Sequence, residues 1–156
     1  MKILMVCLGN ICRSPLAHGI LEHKIAKYNL TSKVDSAGTG SWHTGEPPDP
    51  RSVEVALNHG IDISQQRARQ FNINDFDNFD LIFVMDTSNF QNIKSMTLDS
   101  EKISKVKLIL NEIHIAENRS VPDPYYGGES GFEIVYKMLD QACEHIIEKI
   151  RSYEKG

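Results

Sequence analysis

An apolar run that ends in a cysteine opens the chain, and it constrains the fold more than any other segment. The run KILMVC, residues 2–7, has the length and composition of a strand buried on both faces of a parallel sheet. After a short loop, Ser14 and Pro15 are typical of a helix N-cap and a first helical residue. Apolar residues then recur at helical spacing, which predicts a helix over residues 15–29. A strand, a loop and a helix in this order form half of a βαβ unit.

The rest of the chain continues this alternation of strands and helices. Further strands are predicted over residues 33–38, 80–85 and 105–110, and further helices over residues 50–59, 87–96 and 132–150. The alternation predicts an α/β fold: one three-layer domain over residues 1–156. Its four-stranded parallel sheet would be flanked by helices on both faces, in a doubly wound, flavodoxin-like arrangement.

Composition and charge exclude several classes of function. The 156 residues are 40% hydrophobic, enough for one buried core, and the net charge of −4 gives no broad basic surface for nucleic acid or for a membrane. No apolar run has the length of a membrane span, and the start MKILMVCLGN lacks the length and cleavage site of a signal peptide. The three cysteines do not form a secreted disulfide framework. We therefore expect a cytoplasmic protein, and a monomer is the default oligomeric state.

The loop after the first strand carries the clearest chemical signal. Ligands of open α/β sheets bind beyond the carboxyl ends of the strands, where Cys7 lies. The loop leads into a helix N-terminus, whose free N–H groups favour an anion and also the ionised form of the Cys7 thiol. Arg13 can hold two oxygens of a phosphoryl group, and Ser14 can donate a hydrogen bond to the sulfur. This pattern predicts a nucleophilic thiolate directed at a bound phosphoryl group.

A metal site is the competing interpretation of the same loop. Cys7 and Cys12 have a spacing that metal ligands can adopt, but no second cluster of cysteine and histidine accompanies them. We therefore expect no metal and no other cofactor. Asp123, in the sequence Pro-Asp-Pro, would by itself be typical of a turn.

Four segments resemble the low-molecular-weight protein tyrosine phosphatases. They are VCLGNICRSP (6–15), DSAGTGSW (35–42), MD (85–86) and VPDPYYGG (121–128). The resemblance covers essentially the whole chain. It implies an enzyme, a phosphoric monoester hydrolase, that hydrolyses phosphotyrosine and small aryl phosphates through a cysteinyl-phosphate intermediate. The implied partners are phosphotyrosine-containing proteins and a cognate tyrosine kinase.

The resemblance also implies a role for each matching residue. Cys7 corresponds to the nucleophile, Arg13 to the phosphate clamp and Asp123 to the general acid and base. The residues that bind phosphate or support the loop are Leu8, Gly9, Asn10, Ile11, Cys12, Ser14 and Ser36. The residues that line a slot for an aromatic substrate are Trp42, Tyr125 and Tyr126, together with Leu8. Cys12 also matches a second cysteine that can trap the oxidised nucleophile as a reversible disulfide.

The chain departs from the family pattern at Gln66. Relatives often carry a histidine at this position, where it supports the network formed by the residues that match Asn10 and Ser36. Glutamine can donate and accept hydrogen bonds but cannot titrate. We therefore expect altered tuning of the loop rather than loss of activity. The six histidines show no ligand spacing, and none is assigned a role.

Three other functions stay open on the sequence alone. Arsenate reduction on the same fold needs resolving cysteines, and only Cys143, on the apolar stripe of the last predicted helix, is left for that role. Hydrolysis of phosphoarginine occurs in relatives that tend to have threonine in place of Ile11. A non-enzymatic phosphate-binding module would need the anion loop but not both Cys7 and Asp123.

Overall fold

The fold is described by a computed structural model that covers the backbone of residues 1–156 and every side chain except that of Glu129. The described residues form four strands, β1 (Lys2–Cys7), β2 (Lys33–Gly38), β3 (Leu81–Val84) and β4 (Val106–Leu108). They also form six helices, α1 (Arg13–Lys27), α2 (Pro50–Asn58), α3 (Asp75–Asn78), α4 (Thr87–Lys94), α5 (Ser100–Ser104) and α6 (Glu129–Lys155). A 3₁₀ turn, Ile109–Glu112, follows β4.

The strands form one parallel sheet in the order β2-β1-β3-β4. This confirms the predicted doubly wound α/β fold. Because β2 lies on one side of β1 and β3 on the other, the chain changes its winding direction between β1 and β3. Ligands of such sheets bind outside the carboxyl ends of the strands at that point. Cys7 ends β1 there, and the residues that follow β3 lie beside it.

The two faces of the sheet bury alternate residues of β1. Ile3 and Met5 pack in one apolar cluster with side chains of α1, α2 and α6. Leu4 and Val6 pack in a second cluster on the opposite face, with side chains of α3 and α4. All four side chains are fully buried. Helices on both faces therefore explain why the strand reads as an uninterrupted apolar run.

The start of α1 corrects the predicted helix cap. The helix begins at Arg13, Cys12 occupies the N-cap position, and no side chain caps it. Ser14 was predicted as the N-cap but lies inside the first turn. Its hydroxyl contacts the Cys7 sulfur and the Asn10 amide instead of the helix backbone, because the preceding loop curls back over it.

Several other element ends differ from the predicted ones. The strand predicted over residues 105–110 stops at Leu108, because Ile109 and Leu110 turn into the 3₁₀ segment and are buried in the core. The short helices α3 and α5 were not predicted. The last helix extends beyond the predicted 132–150 at both ends. Among the described residues, no helix is both long and apolar enough to cross a membrane.

The carboxyl end of α6 is fastened to the segment before β2 by one carboxylate. Glu154 accepts hydrogen bonds from the backbone N–H and the hydroxyl of Thr31, at 2.8 and 3.1 Å. It also accepts from the backbone N–H and the hydroxyl of Ser32, at 3.0 and 2.6 Å. These bonds, that of the Ser32 hydroxyl above all, lower the pKa of Glu154 to about 2. The carboxylate therefore joins the last helix to the sheet layer.

Replacing Glu154 by glutamine should destabilise the fold in a pH-dependent way. A carboxyl group whose pKa is lowered on folding contributes stability above its unfolded pKa, about 4.3, and loses it as the pH falls through its folded pKa. The difference in melting temperature between the wild type and Glu154→Gln should be greatest at neutral pH and should shrink as the pH falls towards about 2. Thermal unfolding followed by circular dichroism measures it. Glu148→Gln, an exposed change on the same helix, is the control, and a difference independent of pH would contradict the assignment.

Candidate active site

The loop between β1 and α1 curls around the sulfur of Cys7. Asn10 adopts a left-handed conformation with a φ of 58° and turns the chain back on itself. As a result its backbone N–H points at the Cys7 sulfur, at 3.3 Å. The hydroxyl of Ser14 lies 3.0 Å from the same sulfur. The loop thus surrounds Cys7 with hydrogen-bond donors, which is how the sequence pattern predicted that an anion would be held.

The Asn10 side chain fastens the loop from behind. Its Nδ2 donates to the hydroxyl oxygens of Ser14 at 2.8 Å and Ser36 at 3.0 Å, and its Oδ1 accepts from the backbone N–H of Arg69 at 3.0 Å. The amide is 3% exposed, and both of its hydrogens and its oxygen are engaged. Three separate parts of the chain, α1, β2 and the segment before α3, therefore fix the shape of the loop.

The end of β2 supports the loop through close backbone contact. Thr39 donates to the carbonyl of Cys7 and Gly40 to the carbonyl of Leu8, both at 2.9 Å. Gly38 lies so close that a Cβ there would come within 2.8 Å of the Leu8 carbonyl oxygen and 3.1 Å of the Asn10 nitrogen. Only glycine allows this approach. The small residues that end β2 therefore have a definite role in shaping the loop.

Arg13 is buried and held on its outer side by β3 and the loop after the 3₁₀ turn. Its Nη1 donates to Asp86 Oδ2 at 2.7 Å and to the Val121 carbonyl at 3.1 Å, and its Nη2 lies 3.8 Å from Asp123 Oδ2. Burial alone would lower the pKa of Arg13, but the charges of Cys7, Asp86 and Asp123 outweigh it and raise the pKa. The guanidinium therefore stays charged beside Cys7.

Asp86 is the partner of Arg13 that the sequence did not assign. It lies two residues beyond the end of β3, and its Oδ1 accepts from the backbone N–H of Asn89 at 2.7 Å, which caps α4. The signal for it in the sequence was an acidic residue that directly follows the strand predicted over residues 80–85. Because β1 and β3 are parallel neighbours, Asp86 emerges at the same edge as Cys7.

The segment with Asp123 closes the open side of the site. The backbone N–H of Val121 donates to the Met85 carbonyl at 2.8 Å, which ties this segment to the end of β3. Asp123 Oδ1 accepts from the backbone N–H of Tyr125 at 3.0 Å, which leaves Oδ2 towards Arg13. The carboxyl group is 40% exposed and stands at the mouth of the site. Cys7, Arg13 and Asp123 thus come together as predicted.

A cavity of about 300 Å³ lies between the loop and this segment. Its walls are formed by Cys7, Leu8, Gly9, Ile11, Cys12, Arg13, Trp42, His43, Asp123, Tyr125 and Tyr126. His43 is the one member that sequence reasoning did not name. Trp42 and Tyr126 are 71% and 92% exposed, so the aromatic wall stands open to solvent. Asn10, Ser14 and Ser36 lie outside the lining and support the loop instead.

Asp49 and Arg51, which the sequence did not single out, join the loop to the Asp123 segment. The Asp49 N–H donates to the Ile11 carbonyl at 2.8 Å, and the Asp49 carboxylate accepts from Arg51 Nε and Nη2 at 3.1 and 3.0 Å. Burial would raise the pKa of Asp49, but the Arg51 hydrogen bonds outweigh it and lower that pKa. The Arg51 guanidinium lies 5.5 Å from the Tyr125 ring centroid and 4.6 Å from that of Phe132.

The two cysteines other than Cys7 are both buried. Burial, with the charges of Asp49 and Cys7, raises the pKa of Cys12 to about 12, so its thiol stays protonated at neutral pH. Cys143 is fully buried, and burial raises the pKa of its thiol also. All three cysteines are free thiols in this structure. No group of three or more histidine, cysteine or acidic side chains is placed to hold a metal ion in the part of the chain that the structure describes.

Gln66, which stands where relatives often carry a histidine, makes no hydrogen bond to the Asn10 and Ser36 network. Gln66 Nε2 donates to the Pro15 carbonyl at 3.1 Å rather than to Asn10 or Ser36. The Ser36 hydroxyl lies instead 3.2 Å from Nδ1 of His18, on α1. His18, to which the sequence assigned no role, therefore contacts a residue that holds the loop. No sequence signal marked it, because the contact joins a helix face to a strand end.

Comparisons with known proteins agree on one family. The family model for "Low molecular weight phosphotyrosine protein phosphatase" matches residues 2–155. A low molecular weight phosphotyrosine protein phosphatase of Schizosaccharomyces pombe is 40% identical over 152 residues, which are 96% of each chain. The crystal structure of a protein tyrosine phosphatase from Entamoeba histolytica superposes with a TM-score of 0.91 at 37% identity and covers 99% of each chain. That of a Drosophila arginine phosphatase gives 0.88 at 36% identity, over 96% of this chain and 97% of the other.

Replacing Gly38 by alanine should weaken the binding of inorganic phosphate to the loop. The new methyl group would push against the Leu8 carbonyl and the Asn10 nitrogen and turn the loop N–H groups away from the anion. Loss of one or two hydrogen bonds to a charged ligand corresponds to a dissociation constant raised by about ten- to a hundredfold. Isothermal titration calorimetry measures it. In Gly128→Ala the added methyl group meets no described atom within 4 Å, and binding should stay unchanged. Equal affinities in the two variants would contradict this account of the loop.

Proposed function

The chain belongs to the low molecular weight phosphotyrosine protein phosphatase family, and on that premise we propose that Cys7, Arg13 and Asp123 carry out its reaction. It is a protein-tyrosine phosphatase and therefore a phosphoric monoester hydrolase. We propose that residues 1–156 act as one catalytic domain. The observation that carries the assignment of roles is the position of the Cys7 sulfur, within 3.3 Å of the Asn10 N–H and 3.0 Å of the Ser14 hydroxyl.

In the first step the Cys7 thiolate attacks phosphorus in line with the bond to the phenolic oxygen. The sulfur–phosphorus bond forms as the phosphorus–oxygen bond breaks, and Asp123 gives its proton to the departing oxygen. Arg13 and the loop N–H groups stabilise the charge on the remaining phosphoryl oxygens. Asp123 suits the acid role because it stands at the cavity mouth, 3.8 Å from Arg13, on the side from which a leaving group would depart.

In the second step a water molecule attacks the phosphocysteine. Asp123, now ionised, takes the proton of that water, and the sulfur–phosphorus bond breaks to release inorganic phosphate. The Ser14 hydroxyl stabilises the sulfur as it departs, because it lies 3.0 Å away and can donate to it. The positive charge needed in both steps comes from Arg13 and from backbone N–H groups, which supports a reaction that requires no metal ion or other cofactor.

The aromatic wall of the cavity supports phosphotyrosine as the substrate. Trp42, Tyr125 and Leu8 line an open slot above Cys7, and flat apolar walls favour an aryl group. Tyr125 and Tyr126 support each other, with ring centroids 5.0 Å apart in a T-shaped pair. The substrates would be phosphotyrosine-containing proteins, with a cognate tyrosine kinase as a further partner. We further propose that the enzyme is cytoplasmic. It would act as a monomer, because Cys7, Arg13 and Asp123 of a single chain line the same cavity.

Two other functions receive less support from the site. A resolving cysteine for arsenate reduction has to reach the nucleophile, but Cys143 is fully buried on α6, with its sulfur 3.8 Å from the Ala17 carbonyl oxygen. A binding module would have no use for a carboxyl group at the cavity mouth. Hydrolysis of phosphoarginine is the stronger alternative, since a Drosophila arginine phosphatase has the same fold.

Substitution of Cys7 and of Asp123 tests the proposed roles. Cys7→Ser should abolish hydrolysis of p-nitrophenyl phosphate. Asp123→Asn should lower kcat by about 10²–10⁴-fold, the usual contribution of a general acid. Steady-state kinetics measure both. Cys143→Ala, which removes a buried thiol that does not line the cavity, serves as the control. Full activity in Cys7→Ser would exclude the mechanism.

Exchange of Ile11 tests the choice of substrate. Ile11 lines the same cavity as Cys7, and its apolar side chain favours an aryl group over a guanidinium. The wild type should have a higher kcat/KM for phosphotyrosine than for phosphoarginine, and Ile11→Thr should shift the ratio towards phosphoarginine. Parallel assays of phosphate release from the two phosphoamino acids measure it. A wild type that prefers phosphoarginine would reverse the assignment.

A further inference from the structure

The hydrogen bonds behind the loop continue past Ser36 to His18 and reach the protein surface. We propose that His18 is a positioning residue: its Nδ1 accepts the hydrogen of Ser36 and so keeps the Ser36 oxygen in place as an acceptor for Asn10, the residue that holds the loop around Cys7. This inference rests on the proposed role of Cys7. His18 does not line the cavity and is 12% exposed, at the junction of α1 and β2.

The direction of the network is set by one backbone donor. The N–H of Arg69 faces Asn10 Oδ1 at 3.0 Å, and an N–H can only donate. The oxygen of the Asn10 amide therefore points at Arg69, and its two amide hydrogens point at Ser14 and Ser36. Both hydroxyl oxygens must accept these bonds.

A hydroxyl that accepts from Asn10 has its own hydrogen left to donate. Ser14 lies 3.0 Å from the Cys7 sulfur and 3.5 Å from the Ala37 carbonyl, so the sulfur is its nearer acceptor. Ser36 lies 3.2 Å from His18 Nδ1, which must then offer a lone pair. Two branches of hydrogen bonds thus start from the Asn10 amide. One runs through Ser14 to the Cys7 sulfur, and the other runs through Ser36 to His18.

Glu22 selects the form of His18 that this direction requires. The ring Nε2 lies 3.3 Å from Glu22 Oε2, one helical turn away, so in the neutral ring Nε2 carries the hydrogen and Nδ1 is left as an acceptor. The hydrogen bond from His18, with the charge of Lys33 at the start of β2, lowers the pKa of Glu22. Glu22 therefore stays ionised at neutral pH. Gln66, which packs near the same part of α1, binds Pro15 and does not compete.

Loss of the acceptor at position 18 would disturb the branch that reaches the nucleophile. Ser36 is 5% exposed, so its hydroxyl hydrogen would have no partner from water. A buried hydroxyl without an acceptor is costly, and Ser36 would turn away from Asn10 to find one. The Asn10 amide would lose its hydrogen bond to Ser36 and would then hold Ser14 and the loop less firmly.

Two substitutions that differ by one methylene group test the proposal. Asparagine places its Oδ1 where His18 Nδ1 lies, so His18→Asn keeps the acceptor, whereas glutamine carries its amide further out and loses it. We expect kcat/KM within about twofold of the wild type for His18→Asn. For His18→Gln we expect a two- to tenfold fall, the equivalent of about one hydrogen bond, and slower alkylation of Cys7 by iodoacetamide. Helix propensity favours glutamine over asparagine, so a purely structural effect would give the opposite order.

A double-mutant cycle with Ser36→Ala locates the effect. In a Ser36→Ala background the hydroxyl is gone, and His18→Asn and His18→Gln should give equal activities. His23→Gln, an exposed change on the same helix, is the control and should leave kcat/KM unchanged. Equal activity of the two His18 variants in the wild-type background would overturn the proposal. The alkylation rate reports on the Cys7 environment whether or not Cys7 is the nucleophile, so failure of the proposed function, seen as an active Cys7→Ser, is a separate result.

Discussion

The left-handed turn at Asn10 is the constraint on which the rest of the site depends. It aims one backbone N–H at the Cys7 sulfur and turns the side chain inward, where Ser14, Ser36 and Arg69 hold it. The turn joins the ends of two parallel strands, β1 and β2, to the first turn of α1. A left-handed residue other than glycine is costly unless its surroundings determine it, and here three hydrogen bonds do.

The architecture assigns different tasks to the sheet and to the loops. The sheet brings Cys7, at the end of β1, and Asp86, two residues beyond β3, to one edge, which places the proposed nucleophile beside the anchor of the arginine. The proposed acid, Asp123, comes from a longer segment that touches the sheet through Val121 and Met85 and touches α2 through Arg51 and Tyr125. The proposed phosphate site is thus built at the sheet edge, and the proposed leaving-group side on the loop segment around Asp123.

The sequence predicted those features that follow from neighbouring residues or from the order of elements. The parallel sheet followed from alternation, and the meeting of Cys7 with Arg13 followed from a short loop between a strand and a helix. Asp123 and Ser36 were placed through resemblance, since nothing local joins them to Cys7. His18 was missed and Ser14 was misplaced as a helix cap for the same reason: what decides their roles is a contact with another element. Single-turn helices such as α3 also escaped, because four residues carry too little periodicity.

The two carboxylate oxygens of Asp86 serve unlike neighbours. One receives the backbone of α4 and the other the guanidinium of Arg13, both at 2.7 Å. An asparagine of the same shape has a single acceptor oxygen, so its NH₂ group would meet either a helix amide or a cation head-on. Asparagine therefore cannot accept both hydrogen bonds. Glutamate, which is one methylene longer, would displace both of them. Position 86 is left with almost no chemical freedom, although it never touches the cavity.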